Sequence, residues 1–189
     1  MNIVPPIILI SFAWFISEIL LGIFKRSRDK SASRLDKSSF RVLWSTIMIS
    51  TAVGVFVGIR GIGFISSLGY WLFISGLALI IIGLVIRWAA IFTLRRYFTV
   101  NVAVVEGQKV IDTGLYKYIR HPSYAGSVLS FLGLGLSFSN WLTPIIITVP
   151  ILLAYLYRIK VEEIALVQTL GDDYVEYMKR TKRLIPGIY

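Results

Sequence analysis

Gly114-Leu-Tyr-Lys-Tyr-Ile-Arg-His-Pro-Ser-Tyr-Ala-Gly126 decides how the rest of this chain is read. The stretch holds the protein's one histidine, His121. A turn glycine and aromatics precede it, and a proline that opens an apolar run follows. Proline disfavours helix at the residue before it but suits the first turn of a helix after it, so a helix is expected to start just past His121. A polar, basic segment with a fixed backbone at the mouth of an apolar helix is where a membrane protein can carry out chemistry.

Working outward, the flanks are strongly apolar. Of 189 residues, 56% are hydrophobic and only 16% charged, and the mean hydropathy is +0.75. A soluble domain of this size carries more charge, so the composition indicates one integral-membrane domain over 1–189. Cysteine is absent, which excludes disulfides, iron–sulfur clusters, thiolate zinc sites and a cysteine nucleophile. A single histidine rules out bis-histidine haem, and no metal is expected. The net charge of +10 is explained by basic residues beside membrane spans facing anionic lipid, so no nucleic-acid partner is expected.

Five transmembrane helices are expected in an all-α fold, at about 3–24, 42–59, 68–92, 124–138 and 141–159, with a tail at 160–189. The first is read as an uncleaved helix, with Pro5 and Pro6 in its first turn and Glu18 as the one acid inside any span. The plainer reading of Glu18 is snorkelling to the interface; the other is a functional intramembrane acid. Residues 25–41 read as a polar loop with seven basic residues. The second span carries Gly54 and Gly58 at a spacing that lets helices approach closely. Residues 98–105 alternate weakly, as a short extended piece would. The last two spans are short and joined by a tight turn at 139–144, so they are read as a helical hairpin packed on the others. Nineteen of the twenty basic residues fall in the loop after span one, in 87–121, or from Arg158 onward; Arg60 is the exception. The positive-inside rule then puts the N-terminus outside and the C-terminus in the cytoplasm. It also puts the 87–123 segment and the C-terminal helix on one side, free to form a cytoplasmic cofactor pocket.

After the hairpin comes Arg158-Ile-Lys-Val-Glu162-Glu163. Arg158 and Glu162, four apart, share a helix face with Tyr155. Read alone this is a juxtamembrane salt bridge; beside the His121 segment it becomes a candidate site. Likewise His121 can be a helix cap, and Tyr116, Tyr118 and Tyr124 an interfacial aromatic belt. Asp172, Asp173, Glu176, Lys179, Arg180, Lys182 and Arg183 read as solvated helix faces, the basic ones against lipid headgroups.

The sequence resembles the isoprenylcysteine carboxyl methyltransferase family. The residues that carry the resemblance are Gly114-x-Tyr116, Arg120-His-Pro-x-Tyr124-x-Gly126, Arg158 three residues before Val161-Glu-Glu163, Leu166, Gly171-Asp-Asp-Tyr174 and Tyr177, within 101–186. The resemblance implies an S-adenosylmethionine site at Gln108, Lys109, Val110, Ile111, Tyr116, His121, Pro122, Ser123, Tyr124 and Glu162, with Asn101 a weaker match. Gln108 stands where the family often has histidine. It also implies that Arg158 holds the substrate carboxylate and that Arg158 and Glu162 carry the chemistry. The acceptor would be a lipophilic or prenylated substrate entering from the bilayer, among membrane lipids. In-line methyl transfer to an ionised carboxylate needs alignment, a cation and exclusion of water, which suits these residue types. No Gly-x-Gly-x-x-Gly follows a strand, which excludes the soluble nucleotide-binding methyltransferase fold.

Three other readings stay open. A phospholipid or small-lipophile N- or S-methyltransferase would share this architecture. A nicotinamide-dependent membrane reductase usually has an acid after the glycine matching Gly126, where this chain has Ser127. A non-enzymatic scaffold or transporter subunit would put polar residues at mid-membrane rather than at its mouth.

Overall fold

The computed structural model describes residues 34–99 and 107–189, together with Trp14, Ile16, Ser17, Glu18, Leu20 and Leu21, which are helical. The chain folds into α1 (Arg34–Ile59), α2 (Gly69–Leu94), α3 (Pro122–Leu136), α4 (Leu142–Leu170) and the short α5 (Asp172–Arg180). Single 3₁₀ turns lie at Arg95–Tyr97 and Gly114–Lys117. Among the described residues there is no strand, only the isolated bridges Phe64 to Asn140 and Ile119 to Lys182. Among the described residues, three segments are long and apolar enough to cross a membrane: Lys37–Ile59, Gly69–Tyr97 and Leu142–Leu170. Their outward faces carry Met48, Ile49, Phe56, Val85, Phe92 and Leu153, all exposed. Apolar side chains facing outward on long apolar helices fit lipid as the surrounding solvent.

Helix ends differ from the sequence reading in two places. α1 starts at Arg34, inside what reads as a polar loop, and α4 runs 29 residues to Leu170 instead of stopping near 159. At 1.5 Å per residue α4 is about 43 Å long, well beyond a hydrocarbon thickness of about 30 Å. The helix therefore continues without a break past Arg158 and through Glu162 and Glu163. The extended piece read at 98–105 lies almost wholly outside the described residues, as does Asn101.

α2 and α3 pack backbone to backbone. A Cβ on Gly83 would meet the Gly126 carbonyl oxygen at 2.5 Å, and one on Gly133 would meet that of Gly76 at 2.5 Å. Each helix thus offers two glycines seven residues apart, facing the other pair. Without a hydrophobic drive between helices in lipid, such close approach supplies the dispersion contacts that hold them together. Gly54 and Gly58 do the same on α1, where Ile147 and Phe138 occupy the space a side chain would need. The core lies between these helices, with Ile80, Phe131, Leu134, Ile147, Ile151 and Tyr155 buried and Trp14 packed on Phe131 at 4.8 Å with the rings tilted by 58°.

Candidate functional site

Gly114 has φ +58°, a left-handed conformation that costs glycine little, and it opens the turn that drives Tyr116 inward. Tyr177 of α5 donates its hydroxyl to the Tyr116 carbonyl at 2.7 Å. Burial pushes both phenols above their ordinary pKa, so they stay neutral donors. His121 then takes φ −124°, ψ 55°, the non-helical conformation its Pro122 neighbour favours. Its carbonyl accepts the first helical N–H groups, those of Tyr124 and Ala125, each at 3.1 Å. Its side chain makes no cap hydrogen bond, so capping does not account for the imidazole.

The imidazole instead stacks flat on Tyr124, with centroids 5.6 Å apart and planes at 4°. The Tyr124 hydroxyl joins the two residues that share the α4 face. It donates to Glu162 Oε2 at 2.7 Å and accepts from Arg158 Nε at 3.2 Å. Arg158 is 2% exposed, donates Nη1 to Ser39 Oγ at 3.2 Å, and lies over the Phe40 ring at 5.7 Å. Neither α1 residue is visible as a site residue in the sequence, because 119 positions separate Ser39 from Arg158.

Glu163, next to Glu162, points the other way into a clamp. It accepts from Arg120 Nε at 2.8 Å and from Arg183 Nε at 2.9 Å and Nη2 at 2.8 Å; His121 Nε2 is 3.5 Å away. Arg120 also donates to the Met178 and Thr181 carbonyls. Main-chain bonds from Arg120 N to Lys182 O (2.7 Å) and His121 N to Arg183 O (3.0 Å) fasten the tail across the segment. This corrects the reading of Arg183 as a lipid-facing residue: it is half-buried on Glu163, which holds its guanidinium pKa above the ordinary value. Asp172, Asp173, Glu176 and Lys179 are exposed, as expected, and so is Arg180, which pairs with Asp112 at 2.9 Å. Glu18 does not snorkel: it meets the buried Arg87 with both oxygens, at 2.5 and 2.6 Å.

Between the end of α2, the 107–124 segment, α4 and α5 opens a cleft of about 90 Å³, or about 830 Å³ with the solvent space of its mouth included. Of the expected cofactor residues, Gln108, Lys109, Val110, Ile111, Tyr116, His121, Ser123, Tyr124 and Glu162 line it. Pro122 does not; it is fully buried as the first residue of α3. Arg158 does not line it either, and reaches it through Tyr124. Leu166, Leu170 and Tyr174 complete an apolar wall that the motif positions Leu166 and Tyr174 had signalled. Tyr118 is exposed, consistent with the aromatic-belt reading, whereas Tyr116 and Tyr124 turn inward. The Glu163 clamp had a faint signal in the sequence: a second acid beside Glu162, with arginines at 120 and 183 on the same inferred side.

Residues 76–168 match the model of the isoprenylcysteine carboxyl methyltransferase family. The resemblance read from the sequence holds: this segment belongs to that family. Among curated relatives, protein-S-isoprenylcysteine O-methyltransferase B of Arabidopsis thaliana is 33% identical over 63% of this chain and 61% of its own length. A probable protein-S-isoprenylcysteine O-methyltransferase of Oryza sativa subsp. indica is 34% identical over 63% and 64%. The Homo sapiens protein-S-isoprenylcysteine O-methyltransferase is 30% identical over 62% and 42%. The chain therefore spans less than two thirds of the relatives it matches. Among solved structures, the eukaryotic intramembrane Ras methyltransferase of the family superposes with a TM-score of 0.58 at 25% identity, over 95% of this chain and 63% of that one. The described residues form an all-helical membrane protein with the family's fold, and the family segment contains α3, most of α2 and nearly all of α4.

Proposed function

We propose that this chain is an S-adenosylmethionine-dependent methyltransferase that methylates the carboxylate of a lipophilic acceptor of the S-prenylcysteine type. The observation that carries this reading is the Tyr124 hydroxyl, which ties the cleft-lining Glu162 to the buried Arg158 guanidinium. A cofactor cleft and a carboxylate anchor are one phenol apart.

The donor set of the cleft fits an adenosine sulfonium. Glu162 offers an acceptor for ribose hydroxyls and a negative charge to offset the sulfonium; His121, Tyr116 and Tyr124 offer flat rings; Leu166 and Leu170 offer apolar cover. Buried His121 Nε2 has no hydrogen-bond partner among the described residues and can still take one. Gln108 to Ile111 and Ser123 complete the binding residues. S-adenosylmethionine supplies an electrophilic methyl group. The chain's part is alignment. Arg158 holds a carboxylate that is already ionised at neutral pH, so no general base is required. Tyr124 fixes the spacing of Arg158 and Glu162, and the apolar wall keeps water away.

The same reading implies five spans with the last two as a hairpin, α3 being the shorter arm at 15 residues. It places the N-terminus outside and the cleft and tail on the cytoplasmic side, with the basic residues of 25–41, 95–120 and 160–183, and leaves Arg60 opposite. The acceptor enters sideways from lipid. The test is transfer of a labelled methyl group from S-adenosylmethionine to S-farnesylcysteine or phosphatidylethanolamine in detergent. A base-labile methyl ester on the first supports carboxyl methylation. A base-stable product on the second alone, or transfer to neither by folded protein, contradicts it.

A further inference from the structure

One buried charge has no part in the cleft chemistry. Arg87 is the only charged residue in α2 and is 7% exposed. A charge inside a membrane helix is costly, and Glu18 offsets it: Nη2 donates to Glu18 Oε2 at 2.6 Å, and Oε1 lies 2.5 Å from Nε as an ion pair. Neutralisation accounts for that edge of the guanidinium. It does not account for the other edge: Nη1 donates to Ser127 Oγ at 2.7 Å and Ser123 Oγ at 3.1 Å, and approaches the Ser123 carbonyl at 3.4 Å. All three acceptors sit on the first turn and a half of α3. Ser123 itself lines the cleft, and Tyr124, the next residue, carries the link between Glu162 and Arg158. The backbones also meet here: a Cβ on Gly126 would meet the Arg87 amide nitrogen at 2.7 Å. The glycine seam sets how near α3 comes to α2. It leaves rotation and slide of the first turn to side chains, because glycine has nothing to interlock.

We propose that Arg87 is a positioning residue, fixing the first turn of α3 so that Ser123 and Tyr124 face the cleft, while Glu18 holds Arg87 itself in place. As a statement about cofactor affinity this rests on the proposed function; as a statement about the α3 turn it does not. Replacing Arg87 alone would leave Glu18 half-buried and unpaired against an apolar helix and could unfold the protein. The test is therefore the double variant Glu18→Gln/Arg87→Gln, which removes both charges, compared with Glu18→Gln, which leaves the bonds to α3. Two quantities are read: amide exchange of 123–126 against 130–136, and S-adenosylhomocysteine affinity. The expected result for the double variant is exchange faster by about tenfold at 123–126 alone, with affinity weaker by about tenfold, and both changes clearly smaller in Glu18→Gln, whose amide oxygen can still accept from Arg87. Wild-type exchange at 123–126 in a folded double variant overturns the positioning role, whether or not the cofactor analogue binds. Accelerated exchange together with no analogue binding by wild-type protein supports the positioning role and overturns the proposed function instead.

Discussion

The two ends of α3 are held by opposite means. Its first turn is held by charge: Arg87 and the Arg120–Glu163–Arg183 clamp surround residues 120–127 with hydrogen bonds. Its remaining turns are held by near-absence of side chains, glycine against glycine, with Ser130 donating to the Ile80 carbonyl at 3.3 Å. A seam of this kind tolerates no added atom but loses little from a lost hydrogen bond. A clamp of this kind tolerates changes of size but not the loss of one charge.

The comparison orders the expected effects. The largest belongs to Glu163→Ala, which leaves Arg120 and Arg183 without their shared carboxylate. Breaking such a buried pair costs about 3–5 kcal/mol, and thermal unfolding in detergent should show it as the greatest fall in midpoint among these variants. Gly83→Val should cost about 1–3 kcal/mol by forcing α2 away from Gly126, and Gly83→Ala less than Gly83→Val. If Gly83→Val unfolds at the wild-type temperature, the seam is looser than the close approach implies. Tyr124→Phe keeps the ring stacking and removes only the hydroxyl. It should lower stability by no more than about 1–3 kcal/mol while weakening acceptor and cofactor binding together. Ser130→Ala should cost only about 0.6 kcal/mol, the usual size for a hydrogen bond between membrane helices. Asp112→Ala, at an exposed ion pair, should cost less than about 1 kcal/mol and vanish in high salt.

The clamped end was legible in the sequence because its parts are unusual residues at short range. Pro122 fixed where α3 begins, and Arg158 and Glu162 had to share a face at a spacing of four. The Tyr124 link needed α3 and α4 in register, which no local pattern encodes. Ser39 and Phe40 were invisible for the same reason: contacts across 119 residues depend on how whole helices dock. Glu18 was misread because snorkelling is the ordinary fate of an acid near a span's end, and its partner Arg87 looked like the start of a basic loop. The seam was half legible. Gly54 and Gly58 stood out at their four-residue spacing, whereas Gly76, Gly83, Gly126 and Gly133 repeat every seven residues on two helices, a pattern that only facing pairs make meaningful. α4 was read too short because its last turns are polar, although a helix can leave the apolar layer without ending.

The central claim is that the Tyr124-linked cleft is the cofactor site. Calorimetric titration of S-adenosylhomocysteine, then of NADPH, into wild-type protein and Glu162→Ala in mild detergent tests it most directly. The account predicts micromolar binding of S-adenosylhomocysteine by wild type, no binding of NADPH, and loss of binding in a Glu162→Ala protein whose unfolding midpoint is retained. Equal binding by both proteins, or binding of NADPH alone, would contradict it.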